Sequence, residues 1–508
     1  MLDRVTDKLY NTLDKVYALY ILRKEFFIFM NNLKRFLAGL LSITAMMTAA
    51  VSCSDKEEEI SENNEHYKSE DDYAVNADSE DIKGENDVDI SGQTIYWLAD
   101  YDINPTNNND RSVALSLFED VYGGKIEWIQ TDSEEKFSTL AQRLLAGDPV
   151  DMFPYEWDAV PNGVSKNQYQ PLDDYYDILE MDTDLWEDMT EVIDMFEYNG
   201  SHYVVPYTIS DPLLITYSRK MMEAEGLDDP YELYEDGEWD WDAMMEMMNT
   251  FVSNAPEGST RYGINGWFGQ AVIQSTGHTV VNYEDGKFSN NVDDPEIEKA
   301  ELLMQEMATK QLYRPDWVGY FPDDQSTLFF AMANWALGAS NAKNEDADLM
   351  IVPFPKSPDA DDYYLCCNFA AKMLVDGSDK GEAVATYIKC ERLAATSEEY
   401  QELAKQKALV VEKSAAGVTK SFVTEEQYDA LQSYLDTDNT TPVFDFGYGM
   451  GERMYGSGEY TYETRGVMNN LSEALLEGNA AVDSWATLRD AWTGVITEEV
   501  ERFNALMQ

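Results

Sequence analysis

Aromatic side chains beside acids and amides are the residues of this chain whose chemistry stands out. The sequence contains 11 tryptophans and 32 tyrosines. Trp157, Trp267 and Trp335 lie among acidic, amide, glycine or serine neighbours that predict loops. Sugar recognition needs an aromatic face for the C–H-rich side of the ring, together with carboxylates and amides that hydrogen-bond its hydroxyl groups. These residue types therefore favour carbohydrate binding without covalent chemistry.

A carbohydrate-active enzyme is the alternative, because a glycosidase uses a pair of carboxylates. Because the chain has 97 acidic residues, the presence of such a pair does not distinguish an enzyme from a binding protein. The three histidines, His66, His202 and His278, are scattered and form no metal-ligand spacing. The sequence also has no nucleophile-elbow or phosphate-binding motif. We therefore predict a protein that is not an enzyme and has no cofactor or metal, with a secreted glycosidase as the alternative.

The net charge and the cysteines exclude further classes of protein. A formal charge of −61 excludes nucleic acid as a partner, since phosphates require a basic surface. Cys366, Cys367 and Cys390 remain once Cys53 is set aside, and they form neither a zinc pattern nor a disulfide scaffold. Either one of them bridges to Cys390 or all three are buried free thiols.

The N-terminal region reads as a targeting segment. Residues 30–52 combine Lys34 and Arg35 with a short apolar run and small residues, the pattern of a secretory signal peptide. The sequence AVSC resembles a bacterial lipobox, which predicts cleavage before Cys53 and lipid on that cysteine. An ordinary signal peptide or a short anchor is the alternative. Residues 1–29 fit no signal, so we expect translation to begin at Met30.

An acidic low-complexity stretch follows the cysteine. Residues 53–90 contain few apolar side chains and many carboxylates, which predicts a disordered tether. No later apolar run is long enough to cross a membrane. Cys53 would therefore be the only anchor, and we expect a protein held at the outer face of the cell membrane.

An alternation of strands and helices begins after the tether. Strands are predicted at Thr94–Ala99, Lys125–Gln130 and 150–154, with helices over 110–122 and 133–146. This order predicts a parallel sheet with right-handed crossovers.

From Thr94 onward the order of motifs resembles family 1 extracellular solute-binding proteins, the carbohydrate receptors of ABC importers, which include maltose-binding protein. The motifs that carry the resemblance are, in order, GDPVDMF, YEWDAVPNG, HYVVPYTISDPLLITYSRKMMEAEGL, WDWDAMMEMMNTF, GINGWFGQ, YEDGKFS, LFFAMANWALGASN and IVPFPKSPD. The segment 451–465 (GERMYGSGEYTYETR) has no counterpart in the family pattern, and AMANWALGASN lacks the usual Gly-Lys.

The resemblance implies an α/β, periplasmic-binding-protein-like fold, in which two α/β lobes with central sheets are joined by crossover hinge segments around a cleft. The expected boundaries are 91–206 for lobe 1, 207–352 for lobe 2, 353–410 for the return to lobe 1, and 411–508 for the C-terminal helices of lobe 2. The extended, proline-containing segments 204–207 and 351–355 are the expected crossings. A long helix is predicted over 480–503.

The resemblance also implies a set of ligand contacts in the cleft. They are Trp97, Tyr101, Tyr155, Glu156, Trp157, Asp158, Asp211, Asn265, Trp267, Phe268, Gln270, Trp335 and Arg465. A core position is an equally good interpretation of Trp97. Trp128, Trp239 and Trp241 are predicted to be core or helix-face residues.

Together these patterns predict a lipid-anchored, monomeric receptor that captures a carbohydrate, most simply an oligosaccharide, and hands it to permease subunits of an ABC transporter. The same fold with a peptide, polyamine or metal ligand is a second alternative. Closure would be driven by a ligand that contacts both lobes at once.

Overall fold

The structure, a computed structural model, describes residues 83–84, 86–105, 111–322, 324–410, 422–456, 462, 464–478 and 482–507. The proposed start extension 1–29, the signal peptide 30–52 and Cys53 lie outside the described residues.

The chain forms short strands that belong to several separate sheets. The strands are β1 (Thr94–Ala99), β2 (Lys125–Gln130), β3 (Met152–Pro154), β4 (Glu197–Tyr198), β5 (Ser201–His202), β6 (Thr208–Ser210), β7 (Leu213–Ser218), β8 (Tyr262–Gly266), β9 (Val281–Glu284), β10 (Lys287–Asn290), β11 (Thr327–Ala333), β12 (Leu349–Pro353), β13 (Tyr364–Cys366), β14 (Asn368–Ala370), β15 (Lys372–Leu374) and β16 (Thr441–Val443).

Helices separate most of these strands. The α-helices are α1 (Val113–Ser116), α2 (Lys136–Ala146), α3 (Asn162–Ser165), α4 (Tyr176–Leu179), α5 (Thr190–Met195), α6 (Arg219–Glu225), α7 (Pro230–Glu235), α8 (Trp241–Ser253), α9 (Gly269–Gln274), α10 (Pro295–Thr309), α11 (Trp335–Lys343), α12 (Gly381–Thr396), α13 (Glu398–Ala408), α14 (Glu425–Leu435), α15 (Glu452–Tyr455), α16 (Gly466–Glu473) and α17 (Trp485–Leu506). A π-helical turn covers Leu117–Val121, and 3₁₀ turns cover Trp157–Ala159, Asp173–Tyr175, Asp184–Met189 and Phe446–Gly449.

The first sheet has the strand order β15-β3-β1-β2. β1 pairs in parallel with both β2 and β3, as the alternation of strands and helices predicts. The last strand, β15, comes from much later in the chain and runs antiparallel to β3. Trp97 and Leu98 are neighbours in β1 and both are fully buried, which is typical of a sheet that is covered on both faces.

The second sheet has the strand order β12-β7-β11-β8. β8 and β11 are parallel, whereas β7 is antiparallel to both β11 and β12. All six residues of β7 are buried, so this strand lies in the centre of the sheet. Two separate four-stranded sheets are what a two-lobed binding-protein fold requires.

Two strands that cross between the sheets pair with each other. β6, which leads into β7, is antiparallel to β14, which leads into β15. The segment 204–207, the predicted first crossing, comes directly before β6. In the second expected crossing, 351–355, the first three residues belong to β12 and pair with β7, so the chain leaves the second sheet only after Pro353. The strand β14 follows later and leads into β15 of the first sheet.

The packed part of the chain begins before residue 91. Ile90 is fully buried, and Asp87 Oδ1 accepts a 2.8 Å hydrogen bond from the buried ammonium group of Lys389. Tyr122 Oη donates to the other oxygen of Asp87 at 3.0 Å. Residues 86–90, which we expected to belong to the tether, therefore contact the folded body. The sequence hid this because an acidic residue that pairs with a buried lysine looks like any other acid of the tether.

The C-terminal helix α17 starts a few residues later than predicted. Ser484 caps it by accepting from the backbone amide of Thr487 at 3.3 Å. Its inward face buries Trp485, Ile496 and Phe503.

The three remaining cysteines, Cys366, Cys367 and Cys390, are buried free thiols. In the described part of the chain, every helix is too short or too polar to cross a bilayer.

Candidate ligand-binding site

The loops that follow the parallel strands of the first sheet meet at one edge, because parallel pairing brings the carboxyl ends of strands together. The predicted site residues that follow β1 and β3 are Tyr101, Tyr155, Glu156, Trp157 and Asp158. Ligands of open α/β sheets bind at such an edge.

The second sheet brings two further indoles to its own carboxyl edge. Trp267 follows β8, and its backbone amide donates to the carbonyl of Ala331 at 3.0 Å. Trp335 follows β11 and opens helix α11. Both rings are half-buried and pack on the same apolar cluster. The structure therefore brings Trp267 and Trp335, two of the predicted site residues, to one apolar cluster.

Trp157 lies against a segment that sequence reasoning left unexplained. Its ring centroid is 4.8 Å from that of Tyr448 and 5.4 Å from that of Tyr455. Tyr455 belongs to the segment 451–465. Gly449 allows the approach, because a Cβ there would lie 1.9 Å from the carbonyl oxygen of Val160 and 2.5 Å from that of Trp157.

Sequence reasoning missed Tyr448 and Tyr455. The signal was present in FGYGMGERMYG, where aromatic residues alternate with glycines and predict a tight loop. In the structure Tyr448 is buried and Tyr455 is exposed. No family motif covers this segment, so its two tyrosines were not selected.

Trp267 is fixed from the opposite side by helix α16. Its indole Nε1 donates to Glu473 Oε1 at 2.7 Å, and Arg465 Nη1 donates to Glu473 Oε2 at 2.9 Å. Arg465 is buried, and its guanidinium also donates to Asn470 and Glu477. In this structure Arg465 therefore orients Glu473 and α16. The sequence missed Glu473, since a carboxylate inside a helix carries no motif.

Helix α16 joins the two aromatic sites. The hydroxyl groups of Tyr448 and Ser472 are 3.2 Å apart, and Ser472 precedes Glu473 in the helix. Gly269 packs directly on this turn, because a Cβ there would lie 1.5 Å from the carbonyl oxygen of Ser472. One helix therefore connects the ring cluster around Trp157 to the ring of Trp267.

The carboxylates beside Trp157 are already engaged. Lys136, which is almost fully buried, pairs with Glu156 and lies 3.8 Å from Asp100 Oδ1. Asp158 accepts from the Asn162 side chain at 3.0 and 2.9 Å. Burial raises the pKa of Asp158, and the Asn162 hydrogen bond opposes this shift. Glu156 and Asp158, the neighbours of Trp157 in the chain, therefore each have a side-chain partner in the structure.

Trp97 is a core residue in this structure. The side chain is fully buried, its Nε1 donates to the carbonyl of Tyr101 at 3.0 Å, and the Lys372 ammonium group lies 5.3 Å from its ring centroid. The core interpretation of Trp97 is therefore the correct one, because no ring face is left for a ligand. The hydroxyl groups of Tyr101 and Tyr155 are buried and find no hydrogen-bond partner among the described residues.

Three predicted contacts of the second sheet are buried. Phe268 stacks on Phe354 with 6.0 Å between the ring centroids, and Gln270 faces Gln274 at 3.4 Å within α9. Asn265 donates through Nδ2 to the backbone carbonyls of Arg314 and Asp316, in the loop between α10 and β11. Phe268 and Gln270 therefore support the fold around Trp267 and expose almost nothing to a ligand.

Asp211 lies between β6 and β7, at the point where the chain enters the second sheet. Its φ is +47°, a conformation that Asp adopts more readily than most residues. Burial raises its pKa to about 6, and a hydrogen bond from Asn368 opposes that shift. Because Asn368 belongs to β14, Asp211 connects the segment after β6 to β14.

Core predictions for other tryptophans were mostly correct. Trp239 and Trp241 are buried, whereas Trp128 is half-buried and donates through Nε1 to the Ala99 carbonyl at 2.9 Å.

Within the described ranges, no group of three or more His, Cys, Asp or Glu side chains could hold a metal ion.

Comparisons with known proteins agree with this architecture. Residues 114–416 match the family model described as bacterial extracellular solute-binding protein. None of the curated proteins compared with the chain matches it.

Solved structures with the same fold are distant in sequence. One is the galacto-N-biose-/lacto-N-biose I-binding protein of an ABC transporter from Bifidobacterium longum in complex with lacto-N-biose, with 10% identity, a TM-score of 0.55, and coverage of 83% of this chain and 99% of that chain. Another is the sugar-binding protein MalE from Xanthomonas citri, with 12% identity, a TM-score of 0.55, and coverage of 82% and 97%.

A third is an ABC substrate-binding protein from Listeria monocytogenes in complex with cycloalternan, with 13% identity, a TM-score of 0.51, and coverage of 82% and 98%. These likenesses establish a periplasmic-binding-protein fold. The family match covers more than half of the chain and confirms the resemblance seen in the motifs. The chain belongs to the family of bacterial extracellular solute-binding proteins.

Proposed function

We propose that this protein captures a carbohydrate between its two sheets and delivers it to permease subunits of an ABC transporter. The observation that carries the proposal is the pair of half-buried indoles, Trp157 and Trp267, at the carboxyl edges of different sheets and joined by α16. An aromatic face at each edge can stack on one side of a sugar ring. Polar groups beside each ring can bond its hydroxyl groups.

Closure around the ligand follows from the crossing strands. β6 and β14 are short and paired, and each passes directly into a strand of one sheet. Rotation about such segments closes two lobes on a ligand, and contacts to both edges favour the closed state. The chain would thereby present a different surface to the permease when it is loaded.

The charges of the site favour an uncharged solute. Lys136 and Arg465, two cations beside the indoles, are both buried and paired with carboxylates. A negatively charged ligand group would meet the carboxylates of Glu156 and Glu473 at these two positions. The Bifidobacterium and Listeria structures are complexes with lacto-N-biose and cycloalternan, which supports the same ligand class by likeness of fold.

Membrane attachment is the second part of the proposal. A signal peptide over 30–52 and lipid on Cys53 would hold the monomer at the outer face of the cell membrane. Labelling with a palmitate analogue should give a signal that Cys53→Ala abolishes, with release of the protein or retention of uncleaved precursor. An unlabelled wild-type protein would overturn the lipid anchor and leave the ligand proposal intact.

Ligand screening tests the carbohydrate proposal. A ligand that binds only the native state raises its stability by about 2.7 kcal/mol at one hundred times Kd. Neutral glycans should raise the melting temperature, whereas peptides, polyamines and divalent cations should not. Intact glycan after incubation is expected of a binding protein, whereas glycan cleavage would indicate the glycosidase alternative. A shift with peptides or polyamines alone would contradict the carbohydrate assignment.

A further inference from the structure

The residues directly before β1 form a short strap, residues 86–93, on the folded body. The backbone amide of Gly92 donates to the carbonyl of Gly123 at 2.9 Å, and the carbonyl of Gln93 accepts from the amide of Lys125 at 2.9 Å. Because Lys125 begins β2, the strap lies at the edge of the first sheet where β1 and β2 start. The candidate site lies at the opposite ends of these strands.

A buried lysine of α12 fastens the strap. Lys389 has no exposed surface, and its Nζ donates to Asp87 Oδ1 and to Glu180 Oε1, both at 2.8 Å. Tyr122 Oη donates to the other oxygen of Asp87 at 3.0 Å. A buried ammonium group is tolerated only when carboxylates neutralise it. The strap therefore supplies one of the two acids that neutralise α12 at this point.

The same helix holds the predicted first crossing, 204–207. Arg392 lies three residues after Lys389, so the two side chains leave the same side of α12. Arg392 Nε donates to the carbonyl of Leu185 at 2.7 Å, and its Nη1 donates to the carbonyl of Tyr207 at 3.0 Å. One side of α12 therefore contacts the strap through Lys389 and the crossing through Arg392.

Tyr207 lies where the two crossing strands meet the first sheet. Its backbone amide donates to the carbonyl of Ala370 in β14 at 2.9 Å. Its hydroxyl accepts from Nζ of Lys372, a residue of β15, at 2.9 Å. Since β6 begins at the next residue, a shift of Arg392 would act on the segments about which the two sheets can rotate.

We propose that the strap braces the first crossing through α12, so that attachment of the N-terminal segment to the body is coupled to rotation of the two sheets. The coupling runs through a continuous set of contacts from Asp87 to Lys389, along one turn of α12 to Arg392, and on to Tyr207. Detachment of the strap would leave Lys389 with one acid fewer and loosen the hold of α12 on Tyr207. The inference goes beyond the proposed function, because it concerns the crossing whatever the ligand is.

Hydrogen–deuterium exchange of the ligand-free, full-length protein, measured by mass spectrometry, tests the coupling. In Asp87→Asn, backbone amides of residues 204–210 and 368–370 should exchange about tenfold to a hundredfold faster than in the wild-type protein. Over the same exchange times β7 and β11 of the second sheet should remain protected. Tyr122→Phe, which removes the hydroxyl that donates to Asp87, is the milder variant and should give the same pattern with a smaller increase.

Asp89→Asn is the matched control, because Asp89 is an exposed acid of the same strap that accepts from the backbone amide of Ser91 at 3.0 Å. It should leave exchange at the crossing at the wild-type rate. Faster exchange of Asp87→Asn confined to residues 86–93 would overturn the coupling and make the strap a local attachment. Equally faster exchange in both sheets would also overturn it, since that indicates a general loss of stability. No glycan is used, so a failure of the carbohydrate proposal would leave this result unaffected.

Discussion

The indole Nε1 of Trp267 donates a 2.7 Å hydrogen bond to Oε1 of Glu473, a residue 206 positions later in the chain. The other carboxylate oxygen of Glu473 accepts from Arg465 at 2.9 Å. Both oxygens therefore face donors, and the carboxylate fixes the orientation of a ring that we expect to contact the ligand.

Glu473→Gln should disturb this arrangement, because an amide offers one acceptor and one donor where two donors must be met. We expect a loss of about 1–3 kcal/mol in the free energy of unfolding, measured by urea titration. Glu477→Gln is the control, since Glu477 also accepts from Arg465 but its side chain is 42% exposed. Equal losses in the two variants would contradict a specific role for Glu473.

Gly449→Ala should separate the Tyr448 segment from the loop of Trp157. The added Cβ would lie 1.9 Å from the backbone carbonyl oxygen of Val160, so the backbone would have to shift. We expect a destabilisation of about 1–3 kcal/mol and weaker glycan binding, measured by thermal unfolding and calorimetry.

Gly494→Ala provides the contrast within helix α17. A Cβ at Gly494 meets no atom within 4 Å, and alanine is the better helix former by about 1 kcal/mol. This variant should be neutral or more stable. If both variants behave alike, the close approach of Gly449 to Trp157 does not constrain the site.

Glu301 should make stability depend on pH. It is fully buried on α10, and neither carboxyl oxygen has a partner among the described residues. Burial raises its pKa well above the usual range, so the folded state binds the proton more tightly than the unfolded state does. The tighter proton binding by Glu301 stabilises the folded state. This stabilisation is fully present at pH values below the unfolded pKa of about 4.3, and it is lost as the pH rises toward the folded pKa.

Glu301→Met should remove the fall in folding stability that accompanies the rise in pH. Between about pH 5 and about pH 8, urea unfolding of the wild-type protein should show a fall in stability that the variant lacks. At the upper end the variant should be more stable by about 1–3 kcal/mol. Glu301→Gln, neutral and of similar size, should also flatten the profile. Unchanged pH dependence in both variants would show that Glu301 ionises freely in the folded state.

The fold could be predicted to a large extent from the sequence. The pattern of apolar residues predicted β1 and β2 with their observed bounds. The alternation of strands and helices predicted that the first strands pair in parallel. The second expected crossing overlaps the end of β12, because a strand and a linker can have the same extended, proline-containing pattern. Only the pairing of β12 with β7 distinguishes the two.

The site could be predicted only in part. Trp157 and Trp267 are half-buried at the expected edges, because polar neighbours and glycines indicate loops. Trp97 and Phe268 are buried instead, since the type of an aromatic residue does not reveal which face of a strand or helix it occupies. Glu473 was missed because its contact with Trp267 exists only in three dimensions.

The contribution of the two edge indoles to binding is the central claim. Trp157→Ala and Trp267→Ala should each weaken binding of the glycan found by screening by about 1–3 kcal/mol, or roughly tenfold to a hundredfold. Each should change the melting temperature of the empty protein little, because a half-buried ring contributes less to folding than a core ring. Trp239→Ala, at a fully buried position, should instead cost about 3–5 kcal/mol of stability.

Calorimetric titration of Trp157→Ala and Trp267→Ala, with melting curves of the ligand-free proteins from the same preparations, tests this claim most directly. The account predicts that glycan affinity falls in both variants while the ligand-free melting temperature stays within a few degrees of the wild-type value. Wild-type affinity together with collapse of the ligand-free fold would contradict it and would make both indoles core residues.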